Sequence, residues 1–188
     1  KLDIMFVDAL KRPWQLGTLQ VDFNLPDAFD LKFIGSDNKE HRPVMLHRAI
    51  LGSLERFIGV YLEHTAGHMP TWLAPVQVAI LSVTDAQNEY CQELSRTLTA
   101  EGIRAHFDPR SEKLGCKIRE AQLQKVPYML IIGDKEKNAR QISVRLRTGA
   151  TFYGLEFKEF VSQLKTEIRE RKLLGPWSNG ASAAETTV

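Results

Sequence analysis

Two alternating runs open the chain: Leu2, Ile4 and Phe6, then Leu19, Val21 and Phe23, separated by a polar turn around Lys11 and Arg12. A period of two is the mark of paired antiparallel strands, each turning one apolar face the same way. A short third strand is expected over residues 31–34, closed by Gly35, Ser36, Asp37 and Asn38. A fourth, over 43–51, starts suitably at Pro43 and is interrupted by His47 and Arg48. Ser53 can then cap a helix whose Leu54, Phe57, Ile58, Tyr61 and Leu62 share one stripe. Between Thr65 and Pro75, the residues Gly67, Pro70 and Pro75 read as a linker.

Beyond Pro75 the pattern changes. Residues 76–83 are almost continuously apolar, Asp85 caps a helix with Tyr90, Leu94 and Leu98 inward, and Gly102 ends it. A strand over 103–107, a basic helix over 113–125 carrying Ile118, Ala121 and Leu123, and an apolar strand over 127–132 follow. Strands that alternate with helices imply parallel pairing and right-handed crossovers. A polar hairpin over 133–141 leads to a strand over 142–147, and Phe157, Phe160, Val161, Leu164 and Ile168 define a closing helix. The fold class is therefore α/β: an antiparallel-sheet remnant over 1–66, a linker over 67–75, and a βαβαββα mixed-sheet domain over 76–174. The small, polar segment 175–188 is expected to be disordered. The first part, about four strands and a helix, is too small to cover both faces of its sheet and does not read as a whole domain.

Charge sharpens this division. Net charge is only +2, but residues 1–102 carry nine basic against thirteen acidic side chains, residues 103–147 eleven against five, and the remainder five of each. A basic block on a structured segment favours a polyanion, because bound phosphates release counterions; a solvated basic face is the plain alternative. Cys91 and Cys116 need not pair, no leader pattern opens the chain, and no run approaches the ~20 apolar residues of a membrane span, so a reducing, cytoplasmic setting without a membrane partner is expected.

Two runs carry a specific likeness: Trp14-Gln15-Leu16-Gly17-Thr18-Leu19-Gln20-Val21-Asp22-Phe23, and His41 through Arg48 to Gly52-Ser53-Leu54-Glu55-Arg56-Phe57. They resemble the threonyl-tRNA synthetase family, and the run ending in Glu55-Arg56 is similar to motif 3 of class II synthetases with its Glu-Arg pair. Trp72-Leu73-Ala74-Pro75-Val76-Gln77-Val78, Lys117-Ile118-Arg119-Glu120 and Val126-Pro127-Tyr128-Met129-Leu130 resemble the anticodon-binding domain that follows the catalytic domain in that family. The likeness runs from residue 1 to about 174. It implies the end of a class II catalytic domain, including motif 3, over 1–66, and an anticodon-binding domain over 76–174.

The resemblance also implies roles. Arg56 would stack on adenine and reach the phosphates, where developing charge needs a fixed cation. Gln15, Thr18 and Ser53 would join it in binding ATP, accompanied by Mg2+, and Gln20 would serve beside it at the reacting group. Strand alternation sets Gln15 opposite Thr18 and Gln20 unless Gly17 marks a bulge. Leu16 departs from the family, which has a cysteine there. His47 resembles one of three zinc ligands, one Cys and two His, whose metal reads the amine and hydroxyl of threonine; the other two would lie outside this chain. Ser111, standing where the family has Asn, with Arg119, Glu136 and Arg145, matches positions that contact anticodon bases. For each the residues alone also allow a plain reading: a core histidine, solvated arginines, a turn glutamate, a polar strand face.

The implied activity is ATP-dependent ligation of threonine to tRNA(Thr) by a homodimer, with the isolated chain unable to form adenylate. A non-catalytic RNA-binding module or accessory subunit reusing the anticodon-binding fold is the alternative.

Overall fold

The computed structural model describes residues 1–8 and 10–177. They form two compact units, one over Lys1–Gly67 and one from His68 onward.

In the first unit, β1 (Leu2–Val7) pairs antiparallel with β2 (Pro13–Asp22), which pairs antiparallel with β5 (Met45–Ala49). Between them lie α1 (Asn24–Ala28) and a two-stranded hairpin of β3 (Phe33–Ile34) and β4 (Glu40–His41). The residue pattern predicts only a strand over 31–34 in this stretch. Strands of two residues carry no period to read, and α1 rests on the Asp22 carboxylate, which accepts from the backbone N–H of Asn24 and Leu25. The helix α2 (Leu54–His64) starts as expected, with Ser53 as N-cap accepting from the backbone N–H of Arg56.

One buried carboxylate organises the β1–β2 turn. Asp8 accepts from the backbone N–H of Leu10 and Arg12, from the Arg12 guanidinium at 2.6 Å, and from the Trp14 indole at 2.9 Å. Burial pushes the Asp8 carboxyl up, but these donors outweigh it and hold it down at about 2. Arg12 also pairs with Glu63 on α2.

In the second unit, β6 (Val78–Ser82), β7 (Ala105–Asp108), β8 (Tyr128–Ile132), β9 (Gln141–Leu146) and β10 (Thr151–Glu156) make one sheet in the order β10-β9-β8-β6-β7. The first three are mutually parallel where paired, and β9 and β10 are antiparallel additions. All five residues of β6 are buried, as a strand covered on both faces requires. Helices α3 (Asn88–Ala100) and α6 (Phe157–Arg169) cover one face through Leu94, Leu98, Phe160 and Leu164. On the other, α4 (Leu114–Leu123) packs Leu114, Ile118 and Ala121 over Ala79, Leu81 and Met129.

The structure revises three expectations. The segment read as a polar hairpin over 133–141 contains a helix, α5 (Asp134–Ala139), and β10 adds a fifth strand. A six-residue polar helix has no apolar stripe; it exists because the Glu136 side chain turns back to accept from the N–H of Gly133. The stretch read as a linker is partly buried: the Gln77 side chain donates to the Thr71 carbonyl, and Arg104 donates to the carbonyls of Trp72 and Ala74. Of the tail expected to be disordered from Gly175, residues 175–177 are described and ordered. Trp177 packs on Tyr128 and Phe160, with ring centroids 5.5 and 5.3 Å away, and the remainder, 178–188, lies outside the described residues.

Candidate functional site

In the first unit the register decides which side chains share a face. Ile4 pairs with Gly17 but Met5 pairs with Gln15, so Leu16 is the extra residue of a bulge in β2. Asp3 pairs with Thr18, and Asp3 and Met5 point the same way along β1. Gln15 and Thr18 therefore share a face, and the Gln15 amide donates to Asp3 at 2.7 Å. Gln20 pairs with His47, placing these four on one face.

His47 Nε2 lies 2.9 Å from Asp22 Oδ2, two residues along the same face. A histidine ring held by a carboxylate suits a metal ligand as well as it suits a structural pair. Among the described residues no group of three His, Cys, Asp or Glu side chains could hold a metal, so this chain offers one donor and not a donor set.

Arg56 stands exposed on the first turn of α2. Gly52, at φ +64°, lets the chain turn from β5 into this helix, and a Cβ there would meet the Leu16 carbonyl at 3.0 Å and Arg56 Nη2 at 3.2 Å. Ser53 caps the helix and donates its hydroxyl to Glu55. Arg56 and Ser53 thus sit beside the Gln15–Leu16 bulge.

In the second unit Ser111 and Glu136 follow the carboxyl ends of the parallel strands β7 and β8, the usual ligand side of an open α/β sheet, whereas Arg145 on β9 pairs with Met129 near the start of β8 and Arg119 lies within α4. Ser111 donates to Asp85 in the turn after β6. That turn is tied to α5 by Gln87 donating to Asp134 and by Lys137 donating to the Ala86 carbonyl. On α5, Glu136 accepts from the Gly133 N–H at 2.9 Å and from the Ser143 hydroxyl at 2.6 Å. Burial raises the Glu136 carboxyl, but these bonds prevail and hold it below the usual carboxylate range. Ser143 and Arg145 point the same way from β9. Arg145 donates to Thr151 across the sheet, and its buried Nε has no hydrogen-bond partner among the described residues.

Lys117, almost wholly buried, places α4 by donating to Ser82 and to the Asp108 carbonyl; Glu120 meets Arg110. With about 100° per residue, Arg119 then lies on the outer side of α4, away from the inward Leu114, Lys117, Ile118 and Ala121. It is exposed and makes no hydrogen bond or ion pair among the described residues. Ser111 and Glu136 thus fall on one hydrogen-bonded rim that ends at Ser143, with Arg145 two residues further along β9.

Asp22, Ser143 and Asp85 hydrogen-bond candidate residues, and sequence reasoning missed these contacts. Each acts by holding a candidate residue, and only alternation along β2, which puts Asp22 with Gln20, could have pointed to one of them. A groove of about 930 Å3 runs along α3 and α6, and four of its charged side chains pair as Arg140–Glu93 and Lys165–Glu101.

Residues 1–65 match the family model for the class II tRNA synthetase core domain (G, H, P, S and T), and 77–167 match that of the anticodon binding domain. A threonine--tRNA ligase of Bdellovibrio bacteriovorus is 64% identical over 97% of this chain, and one of Clostridium novyi 53% over 91%. The chain spans 28% and 27% of their lengths. The crystal structure of the RNA binding domain of threonyl-tRNA synthetase from Cryptosporidium parvum matches 87% of this chain and 42% of its own, at TM-score 0.81 and 39% identity. Prolyl-tRNA synthetase from the same organism, at 23% identity and TM-score 0.65, shares the fold. With a class II core segment followed by an anticodon-binding domain, and with this identity across both, the chain belongs to the threonyl-tRNA synthetase family.

Proposed function

We propose that this chain forms the nucleotide-binding edge and the tRNA-reading domain of an enzyme that activates threonine with ATP and transfers it to tRNA(Thr). The rim joining Ser111, Asp85, Gln87, Asp134, Glu136 and Ser143, with Arg145 further along β9 and Arg119 exposed on α4, carries this reading. It offers carboxylate acceptors, an Arg119 guanidinium without an internal partner and an Arg145 guanidinium bonded only to Thr151, which suits the edges of unpaired bases. The excess of basic residues within 103–147 suits the backbone that carries them.

In the first unit Arg56 would stack on adenine and meet the charge that develops on the α-phosphate, at a helix N-terminus whose dipole has the same sign. Gln15, Thr18 and Ser53 would bind ATP with its Mg2+, and Gln20 would lie at the reacting carboxyl. His47 would contribute one ligand to a zinc ion that holds the amine and hydroxyl of threonine, with the other ligands from outside this chain. A homodimer and a cytoplasmic setting belong to the same proposal; among the described residues no helix is long and apolar enough to cross a membrane.

The isolated chain is expected to bind RNA without activating threonine. Its three-stranded sheet leaves Leu2, Ile4, Val21 and Leu46 at least half exposed, which favours further protein over that face. Turnover in a pyrophosphate exchange assay by this chain alone would refute that. For the RNA-reading domain the test is Arg119→Ala. Lacking an internal partner, Arg119 contributes little to folding, so the melting temperature should hold while binding of an RNA hairpin bearing a threonine anticodon weakens by about 1–3 kcal/mol. Unchanged discrimination between threonine and non-cognate anticodons would count against the role.

A further inference from the structure

We propose that Tyr153 is a stacking platform for one unpaired nucleobase of the bound RNA, beside the rim that contacts base edges. The inference rests on the RNA-binding reading above and adds a residue to it.

Along β10, Phe152 pairs with Val144 and Leu155 with Ile142, and both pack into the core that α3 and α6 cover. The register slips between them, and Gly154 takes φ +66°, a conformation that costs little only for glycine. This bulge accommodates an extra residue while keeping Phe152 and Leu155 on the inner side. Tyr153, following Phe152 by one pleat, consequently points to the other face, with Thr151, Arg145 and Ser143. Thr151 pairs with Arg145, so Tyr153 is the diagonal neighbour of Arg145, about 7–8 Å away by the spacing of such pairs.

Tyr153 is 76% exposed. Among the described residues it stacks on no other ring, lies under no cation and makes no hydrogen bond. A rigid aromatic ring presented by a bulge next to an arginine with an unpartnered buried nitrogen is the chemistry of single-stranded nucleic-acid binding, in which bases stack on rings while cations meet the backbone. Every base has a π-face, so Tyr153 supplies affinity with little sequence preference. Glu136 and Arg145, which meet base edges, supply the discrimination.

The test uses the whole 188-residue chain and an RNA hairpin carrying a threonine anticodon, with 2-aminopurine placed at each loop position in turn. Tyr153→Ala should weaken binding roughly 5- to 100-fold, the range for a lost base–aromatic stack, and should abolish the quenching of 2-aminopurine at one position. Tyr153→Phe should keep both, and an abasic nucleotide at that position should remove the difference between wild type and Tyr153→Ala. Circular dichroism melts check that Tyr153→Ala folds, as expected for an exposed side chain. Equal affinity and an unchanged quenching profile for Tyr153→Ala overturn the platform alone. Failure of the wild-type chain to bind the hairpin overturns both this and the RNA-reading proposal. A concentration-dependent mass that Tyr153→Ala abolishes, with RNA affinity unaltered, would assign the ring to self-association and overturn the platform.

Discussion

Glu136 holds two positions at once, and substitution can separate them. Its Oε1 accepts from the Ser143 hydroxyl at 2.6 Å and its Oε2 from the Gly133 N–H at 2.9 Å. Glu136→Ala removes both bonds and leaves the Ser143 hydroxyl, 2% exposed as a residue, without its acceptor. At about 0.5–1.5 kcal/mol for the Gly133 bond and about 1–3 kcal/mol for the buried Ser143 hydroxyl left unpaired, the loss should be about 1.5–4.5 kcal/mol. For a domain of this size that is a fall in melting temperature of about 10 °C. Glu136→Gln keeps an acceptor for Gly133 and offers its amide N–H to the Ser143 oxygen, so it should cost under about 1 kcal/mol. A carboxylate has about four lone-pair sites, and two are taken here, which leaves the others for an exocyclic amine of a base. In Glu136→Gln the fold survives and the paired carboxylate does not, so selectivity for the anticodon base that it meets should fall by about 1–3 kcal/mol. Calorimetric melts and competition binding with anticodon variants measure the two separately. If Glu136→Ala melts with the wild type, Glu136 does not cap α5; if Glu136→Gln discriminates like the wild type, Glu136 is a cap and nothing more.

The remaining predictions concern stability. Trp177→Ala should destabilise the second unit by about 2 kcal/mol, because a half-buried ring that touches Tyr128 and Phe160 leaves a gap over the core; an unchanged urea midpoint would return residue 177 to the tail. Asp8 has a folded-state pKa near 2, below its unfolded value of about 3.9. A lowered carboxylate pKa stabilises the fold fully above the unfolded value and ceases to do so as pH falls through the folded one, so the first unit should weaken between about pH 4 and pH 2. The Trp14 indole N–H resonance, which depends on Asp8, should lose its native shift over that range, and Asp8→Asn should flatten the dependence; equal acid sensitivity of the two proteins would refute the assignment.

How far each element could be read from the sequence follows from where its stabilising contacts lie. The buried strand β6 and the inward stripes of α3 and α6 were legible because burial imposes a period, and α2 because its Ser53 cap requires a particular residue at a particular place; the β1–β2 pair showed its alternation although β1 is exposed throughout. The candidate residues Gln15, Thr18, Gln20 and His47 were legible as types, but not as a set: the bulge at Leu16 is a matter of register between two strands. Likewise α5 and β10 were hidden, one held by a side chain that returns to its own helix start, the other completed by a glycine bulge that keeps Phe152 and Leu155 inward.

Local sequence thus determined which segments could bury an apolar face and where several helices begin, because those are properties of neighbours along the chain. Only the tertiary structure decided that Asp22 meets His47, that Ser143 meets Glu136, and that Tyr153 stands beside Arg145. Such meetings depend on strand order, register and the angle of a bulge, which are set by cross-strand hydrogen bonds between residues distant in sequence.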